Sequence, residues 1–358
     1  MMKKLIVASC LLSLSLQGQV VRKYSNEFLN IGTGARGLGM GSAVYSSQDD
    51  VYAPMWNPAG LTGVEKDWQM AAMHAEYFAS IAKYDYIAFA KALDNGGTFG
   101  ISVVRLGVDN ILNTTQMIDP DGNIDYDKIS SFSTADYAGI ISYAFHPAGN
   151  RKLSVGVNAK LIYRNIGKFA NGFGFGFDIG ALYATDSGWK YGATLKDAIS
   201  TVNFWTVNQK ELSAVVNGEE FNPAPKDKLE ITLPKLNLST SRNFELSRDL
   251  DLLPEFGLNM EFQKTAALIS TDMVSITPYA GVELAYDKMI FVRLGVNRFQ
   301  NISDLETAKQ KVSFQPSGGV GIKYKGLTLD YAISNSGIGG SNYFSNFFSL
   351  KLDMSGFR

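Results

Sequence analysis

Side chains that could perform acid–base or nucleophilic chemistry are scarce in this sequence. It contains two histidines, His74 and His146, and one cysteine, Cys10. A hydrolase built on a serine nucleophile needs a histidine in contact with that serine, so only two positions could serve it. Both histidines fall within or at the end of segments that alternate like β-strands, and we interpret them as structural polar residues. The sequence therefore predicts a protein that is not an enzyme and needs no cofactor.

One run of oxygen-bearing side chains resembles a metal-binding loop. Carboxylate and amide side chains recur at every second position, at Asp119, Asp121, Asn123 and Asp125. Calcium loops of the EF-hand type use this spacing, but they also require a glycine at the sixth position and a glutamate at the twelfth. Ile124 and Ser130 stand at those positions here. We therefore interpret the run as a solvated Asp-Gly turn, with an ordered calcium site as the alternative.

The composition excludes several classes of protein. The 358 residues include 33 Lys and Arg against 34 Asp and Glu, which gives a net charge of −1. Proteins that bind nucleic acid normally carry a basic excess that neutralises phosphates, so we expect no nucleic-acid partner. A single cysteine excludes a disulfide scaffold, and no apolar run after the N-terminal segment is long enough for a membrane-spanning helix.

Residues 1–18 have the pattern of a secretory signal peptide. Two lysines precede an apolar stretch that runs from Leu5 to Leu16, and this order of charged and apolar residues is typical of exported proteins. We predict cleavage near Gly18. The sequence around Cys10 leaves a lipoprotein cleavage site as the alternative.

From residue 68 onward one pattern repeats, in which a segment alternating apolar with small or polar residues is followed by a turn rich in Gly, Asp, Asn or Pro. Strands of about 9–11 residues are typical of membrane barrels, whereas strands of globular proteins average only about 5–6 residues. An even number of strands is required for a closed bacterial barrel. A soluble β-sandwich is the alternative, and the strand length argues against it. We count fourteen segments, at 68–78, 84–93, 98–108, 135–146, 152–165, 171–184, 188–198, 229–246, 252–265, 275–287, 289–300, 310–325, 327–335 and 342–354.

These segments predict an all-β fold, a fourteen-stranded antiparallel transmembrane β-barrel over 68–358 with both ends in the periplasm. Short turns alternate with longer connections, so the long loops near 109–134 and 199–228 should face the outside. The alternation also predicts which side chains face the lipid of the outer membrane, namely Val157, Phe175, Leu294 and Leu350.

The opposite face of these strands should line the lumen. We expect His74 to be a lumen or interface residue and His146 to lie at the rim. Charges of both signs fall on the lumen face, and we interpret them as a lattice of pairs rather than a selectivity filter. They are Lys160, Arg164, Asp178, Glu261, Glu283, Arg293, Lys323, Asp330, Lys351 and Asp353.

Residues 19–67 do not alternate, so we expect them to form an N-terminal plug with short helical turns. Asn57 followed by Pro58 is a helix-start signal, because Asn can cap exposed N–H groups and Pro is tolerated at the first helical position. Gly39 and Gly41 permit close backbone contacts. Closely spaced glycines can also bind phosphate, but no βαβ unit surrounds these.

The same segment resembles the N-terminal signature of the FadL-like outer-membrane barrels, and more specifically that of the PorV/PorQ branch. The match covers residues 28–61. Trp56, where many FadL-type sequences have Tyr, and a short mature chain both favour the PorV branch. The residues that carry the resemblance are Ala35, Arg36, Leu38, Gly39, Met40, Gly41, Ala43, Asp49, Asp50, Trp56, Asn57, Pro58, Ala59, Gly60 and Leu61.

This resemblance implies a fourteen-stranded barrel with its N-terminal segment inside the lumen. PorV-type members belong to the type IX secretion system, where they bind the C-terminal signal domains of cargo leaving the SprA translocon and carry them to the attachment machinery. FadL-type members move hydrophobic molecules across the outer membrane. The resemblance therefore implies a non-enzymatic carrier, with a channel for hydrophobic small molecules as the alternative.

The predicted loop 199–228 carries aromatic side chains among polar ones. Exposed apolar clusters mark binding sites more often than other surfaces do. Phe204, Trp205 and Phe221 are therefore candidates for binding a protein partner. The alternative is that this loop folds inward and caps the barrel.

Overall fold

The computed structural model describes residues 26–119, 121–216, 219–221, 228–303, 310–335 and 343–357. The predicted signal peptide, 1–18, lies outside these residues. The strands are β1 (Trp68–Tyr77), β2 (Ala82–Ala92), β3 (Thr98–Asn113), β4 (Ser130–Phe145), β5 (Leu153–Ile166), β6 (Ala170–Ala184), β7 (Trp189–Lys196), β8 (Thr201–Val207), β9 (Ala214–Val216), β10 (Glu219–Phe221), β11 (Leu229–Thr232), β12 (Lys235–Arg242), β13 (Phe244–Ser247), β14 (Leu250–Glu261), β15 (Ile269–Ser270), β16 (Ser275–Tyr286), β17 (Ile290–Ser303), β18 (Gln310–Tyr324), β19 (Leu327–Asn335) and β20 (Phe344–Asp353).

The strands form one antiparallel sheet that closes on itself, because β1 pairs with both β2 and β20. Two wall strands are interrupted. The first is made of β7 and β8, which both pair with β6. The second includes β11 and β12, of which β12 pairs with β7 and β11 pairs with β8. The small hairpin of β9 and β10 stands apart from the wall. With β7 and β8 counted as one strand, β11 to β13 as another and β15 as a short addition to β16, the described residues form fourteen wall strands. The predicted fold class is confirmed.

Alternation decides which side chains face outward. Val157, Phe175 and Leu294 are 44%, 45% and 62% exposed on the outer wall. Their neighbour Asn158 is buried in the lumen, so the predicted register is confirmed. In the described part of the chain, no helix is both long and apolar enough to cross a membrane. An apolar outer wall around a polar lumen is typical of barrels that span an outer membrane.

The connections differ at the two ends of the barrel, which we call the turn end and the loop end. The turn end carries only short connections, such as the one between β2 and β3, whereas the loop end carries the long ones together with the short turns that follow β1 and β5. The predicted loop 109–134 is shorter than expected because β3 and β4 continue to pair beyond a bulge, as far as Asn113 and Ser130. The predicted loop 199–228 likewise begins as a strand, since β8 pairs with β11.

The described part of the N-terminal segment, from Asn26 to the start of β1, lies inside the barrel and forms the plug. It contains a 3₁₀ turn at Glu27–Asn30, a short helix at Ala35–Gly39 and two further 3₁₀ turns at Ala53–Met55 and Pro58–Gly63. The helix contacts β17 to β20, and the last turn contacts β3 to β6. The core of the protein is therefore the surface between the plug and the inner wall.

Candidate functional site

The last turn of the plug is fixed by Asn57. Its Oδ1 accepts a hydrogen bond from the Ala59 N–H at 3.1 Å, and its Nδ2 donates to the carbonyl oxygen of Ala181 on β6 at 3.0 Å. Pro58 occupies the first position of the turn. The predicted helical start at Asn57 is confirmed as a 3₁₀ turn, and the same side chain binds that turn to the wall.

Two plug glycines lie against the wall, as predicted. Gly41 has a φ of +63°, and a Cβ added there would lie 2.5 Å from the backbone nitrogen of Val296 on β17. A Cβ on Gly39 would lie 3.2 Å from the Cα of Gly319 on β18. These glycines permit backbone-to-backbone packing between the plug and the barrel.

Trp56 organises the interior of the plug. It is 1% exposed, and its indole Nε1 donates to the carbonyl oxygen of Thr33 at 2.8 Å. Its ring packs edge-on to Tyr45 with 5.4 Å between centroids. A Cβ added at Gly37 would lie 2.7 Å from this ring. The role of Trp56 in this structure is therefore packing within the plug.

Arg36 joins the plug to a chain of charges on the lumen wall. Its Nε lies 2.9 Å from Oε2 of Glu283, and the same oxygen lies 2.5 Å from Nε of Arg293. Arg293 Nη1 in turn lies 2.6 Å from Oδ1 of Asp330. The predicted lattice of lumen charges is present here, and the plug supplies one of its members.

The acidic pair of the signature divides into a buried and an exposed residue. Lys351 Nζ lies 2.5 Å from Oδ2 of Asp50, whose Oδ1 accepts from Gln48 Nε2 and the Tyr52 N–H. Burial raises the pKa of Asp50, but the charge and hydrogen bond of Lys351 and the other donors outweigh it and hold that pKa below its ordinary value. Asp49 is 60% exposed in its side chain, 3.4 Å from Lys190.

A second buried charge cluster lies where β7 breaks off. Lys160 Nζ lies 2.6 Å from Oδ1 of Asp178 and 2.6 Å from Oδ1 of Asp197, and these side chains are 4–6% exposed. Asn158 donates to the other oxygen of Asp178 at 3.1 Å. Asp197 has a φ of +53°. The alternation gave no sign of Asp197, because this residue lies at the break between β7 and β8 rather than within a strand.

The Asp-rich run forms a turn that uses its own oxygens. Asp119 Oδ1 accepts from the N–H groups of Asp121 and Asn123 at 3.0 and 2.8 Å, and Asn123 Nδ2 donates to Asp119 Oδ2. Asp125 Oδ1 accepts from the Asp127 N–H at 3.1 Å. Among the described residues, no group of three or more His, Cys, Asp or Glu side chains is placed to hold a metal ion. These contacts agree with the interpretation as an Asp-Gly turn.

The candidate partner-binding aromatics are not together in a free loop. Phe204 and Trp205 belong to β8; Phe204 is 55% exposed on the outer wall, and the guanidinium of Arg164 lies 5.1 Å from the centroid of the Trp205 ring. Phe221 belongs to β10, and its side chain lies outside the described residues. The expected placement of Phe204 and Trp205 in a loop is wrong, because β6 and β11 continue to pair with this segment.

The two histidines occupy different surfaces. His146 Nδ1 lies 3.0 Å from the carbonyl oxygen of Leu153 at the turn end, which agrees with the predicted rim position. His74 is not a lumen residue. It lies on the outer face of β1, 48% exposed, with Nδ1 2.7 Å from Oδ1 of Asp85 on β2.

A cavity of about 470 Å³ lies between the plug and the loop end. Its apolar side is formed by Ile31, Leu38, Tyr45, Tyr77 and Phe347, and its polar side includes Lys235. Lys235 Nζ lies 2.9 Å from carboxylate oxygens of both Glu27 and Glu261. No local pattern in the sequence indicates this cavity, because its lining comes from the plug and from distant wall strands.

Comparisons with known proteins identify related folds but no related sequences. No protein-family model matches the chain, and no curated protein matches it. Among solved structures, the toluene transporter TbuX of Ralstonia pickettii is 14% identical, with a TM-score of 0.56 over 90% of this chain and 98% of that one. The CymD monoaromatic hydrocarbon channel is 12% identical, with a TM-score of 0.56 over 90% and 98% of the two chains.

A Pseudomonas aeruginosa FadL homologue is also similar in structure. It is 12% identical to this chain, with a TM-score of 0.53 over 90% of this chain and 98% of that one. Identities this low establish shared architecture and not shared activity. The chain therefore has the fold of the FadL-like barrels.

Proposed function

We propose that this protein is a non-enzymatic outer-membrane channel that admits hydrophobic small molecules from outside the cell. The turn end of the barrel then lies in the periplasm and the loop end faces outward. The fold is shared with transporters and channels for toluene and monoaromatic hydrocarbons. The observation that carries the proposal is the cavity beneath the loop end, which offers an apolar surface to a molecule entering from that side.

The lining of this cavity favours a particular kind of ligand. The aromatic rings of Tyr45, Tyr77 and Phe347 provide a surface on which an apolar body can be buried. The Lys235 ammonium with its two carboxylates forms a polar region on the other side. Most of the remaining lining residues are polar or charged, so the aromatic rings form one apolar surface of a largely polar cavity. A compact molecule with an apolar body and polar groups fits this chemistry.

Passage beyond the cavity requires a change in the plug or in the wall. Trp56 and Leu61 of the plug are buried against their surroundings, and Arg36 and Asp50 bind the plug to β16 and β20. The break in β7 is closed on its inner side by Lys160 and its two aspartates. The described conformation is therefore a closed state of the proposed channel.

Filling the cavity should block the channel. Thr277 lines the cavity from β16, and Thr277→Trp should reduce uptake of radiolabelled toluene to the level of cells that carry an empty vector. The matched control is Leu284→Trp on the same strand, whose side chain is 36% exposed on the outer wall, and it should leave uptake unchanged. Equal uptake by both variants and by the unaltered protein would contradict the assignment of this cavity to the pathway.

A second candidate function is a carrier of secreted cargo for the type IX secretion system. It is supported by a specific observation, which is a group of exposed apolar side chains at the loop end. Leu112 is 70% exposed, Ile124 56% and Tyr126 70%, and they lie on or beside the connection from β3 to β4. Such patches are common at protein-binding sites. Its proposed partners are the C-terminal signal domains of cargo and a SprA-like translocon.

The carrier hypothesis makes a different prediction. Combined Leu112→Ser, Ile124→Ser and Tyr126→Ser substitutions should abolish surface retention of cargo, because apolar and aromatic side chains dominate interface energetics. Export should be measured by surface proteomics, with a heat-modifiability gel as the folding control. Thr277→Trp should leave export unchanged under this hypothesis. Normal export by the triple variant, together with blocked toluene uptake by Thr277→Trp, would leave only the channel.

A further inference from the structure

The outer wall carries a cluster of charges on β1, β2 and β3, at a place where lipid is expected. Besides its contact with His74, Asp85 lies 3.1 Å from Arg105 Nη1 through its Oδ2. Glu76 and Lys83 lie on the same outer face, next to this group. The side chains of His74, Glu76, Asp85 and Arg105 are 34–48% exposed. The cluster therefore faces away from the protein rather than into the lumen.

The depth of the cluster makes lipid a poor neighbour for it. His74 lies six residues beyond Trp68, where β1 begins at the turn end. With a rise of about 3.3 Å per residue and a tilt of about 40°, His74 stands roughly 15 Å above that point. The apolar band of such barrels is about 25 Å tall, and a charge near its midplane costs about 2–4 kcal/mol. Such charges normally face a partner instead of lipid.

The outer-wall charges of the β1–β2 hairpin are complementary to the same charges on a second copy of the chain. Glu76 is the cross-strand neighbour of Lys83, and His74 is the cross-strand neighbour of Asp85. Each pair lies one strand spacing apart, about 4.8 Å, at nearly the same depth. A two-fold axis that runs between β1 and β2 along the membrane normal brings Glu76 of one copy opposite Lys83 of another. Self-complementarity of this kind is the requirement for an isologous interface.

The shape of the outer wall is also complementary to that of a second copy related by this two-fold axis. On one side of the hairpin lies an apolar groove of about 690 Å³, lined among others by Ala72, Phe348 and Leu350. Ile87, 63% exposed, forms the edge of this groove on β2, and Val103 protrudes beyond it on β3, 50% exposed. The same two-fold axis directs these protruding side chains of one copy toward the groove of the other.

We propose that this protein forms a two-fold dimer within the membrane, with a second copy of the chain docked on the β1–β2 wall. The charge pattern favours a second copy over lipid, because even paired charges such as Asp85 and Arg105 are costly to expose to lipid tails. It also selects a second copy over an unrelated protein, because the complementary charges are supplied by the same patch. This proposal is independent of whether the barrel is a channel or a carrier.

The test uses charge reversal in full-length, differently tagged copies. Glu76→Lys alone and Lys83→Glu alone each place like charges opposite one another in a homodimer, so each should purify as a monomer from native membranes. Co-expressed, the two single variants should pair with each other, because each supplies the charge that the other needs. Each variant still lacks the ion pairs that the altered side chain made within its own chain. Recovery of association on co-expression must therefore come from contacts between copies. Self-association of the single variants at the unaltered level would overturn the proposal.

Cysteine cross-linking provides the second readout. Ala72 lies on the outer face of β1 beside the proposed axis, and Ala72→Cys in a Cys10→Ser background should give a covalent dimer with a bismaleimide cross-linker that spans about 10 Å, the spacing of packed sheets. Leu258→Cys is the matched control, since Leu258 is 39% exposed on the outer face of the distant strand β14, and it should stay monomeric. A heat-modifiability gel verifies that each barrel is folded. A monomer for Ala72→Cys, or a monomer that retains bound lipid in native mass spectrometry, would overturn the dimer.

Discussion

Replacing Lys160 by methionine is expected to destabilise the barrel by about 3–5 kcal/mol, because two buried carboxylates lose the cation between them. Asp178 and Asp197 each lie 2.6 Å from the Lys160 ammonium, and their side chains are 6% exposed. Without the ammonium, both charges remain in a site from which water is largely excluded. The measurement is the midpoint of urea-induced unfolding in detergent, followed by heat modifiability and tryptophan fluorescence.

Two controls make this result specific to the buried cluster. Lys152→Met removes an exposed pair with Asp186, whose side chains are 49% and 84% exposed, and it should change stability by no more than about 1 kcal/mol. The triple variant Lys160→Met, Asp178→Asn and Asp197→Asn should recover much of the loss, since it leaves no unpaired charge. Equal effects of Lys160→Met and Lys152→Met would show that water reaches the cluster.

Replacing Gly41 by valine is expected to displace the plug. A residue with a Cβ is strained at a φ of +63°, at about 1–2 kcal/mol. The Cβ would also press on the backbone of Val296, at a further cost of about 1–3 kcal/mol. Limited proteolysis should cleave residues 26–67 in this variant and spare them in the unaltered protein. The total cost, about 2–5 kcal/mol, should also lower the temperature at which the barrel unfolds on a gel.

Gly139→Val on β4 is the matched control for Gly41. A Cβ at Gly139 meets no atom within 4 Å among the described residues, and its φ is not positive. Both substitutions add the same side chain, so the difference between them measures the contact of Gly41 with the wall. A plug that resists proteolysis in Gly41→Val would contradict the packing described here.

The wall was predictable because lipid imposes a strict rule on each strand. Alternate residues must be apolar wherever a strand crosses the membrane, so the outward positions of Val157, Phe175 and Leu294 follow from the sequence. The local rule for Asn57 and Pro58 succeeded for a different reason, since a cap and its turn lie within a few residues of one another. The limits of β3 and β8 were not predictable, because hydrogen-bonded pairing continues beyond the membrane without any apolar signal.

The site was predictable only in part. The charges expected in the lumen do pair, but the partner of Lys351 is Asp50 of the plug, 301 residues away in sequence. No periodicity specifies such a distant contact. His74 was expected in the lumen or at an interface, and the lumen position is wrong because the rule that polar residues of a barrel strand face the lumen fails on β1 and β2. We infer that this failure marks a surface with a function of its own.

The position of the plug also has a consequence for biogenesis. The plug is synthesised before any wall strand, yet its helix at Ala35–Gly39 contacts β17 to β20, which are made last. Its turn at Pro58–Gly63 contacts β3 to β6, from the first half of the chain. The sheet can close only when β20, the last strand to be made, pairs with β1. Seam closure and plug docking then depend on the same last strands, so a chain truncated before β17 can complete neither. The N-terminal segment can therefore complete its contacts with the wall only after the last strands have been made.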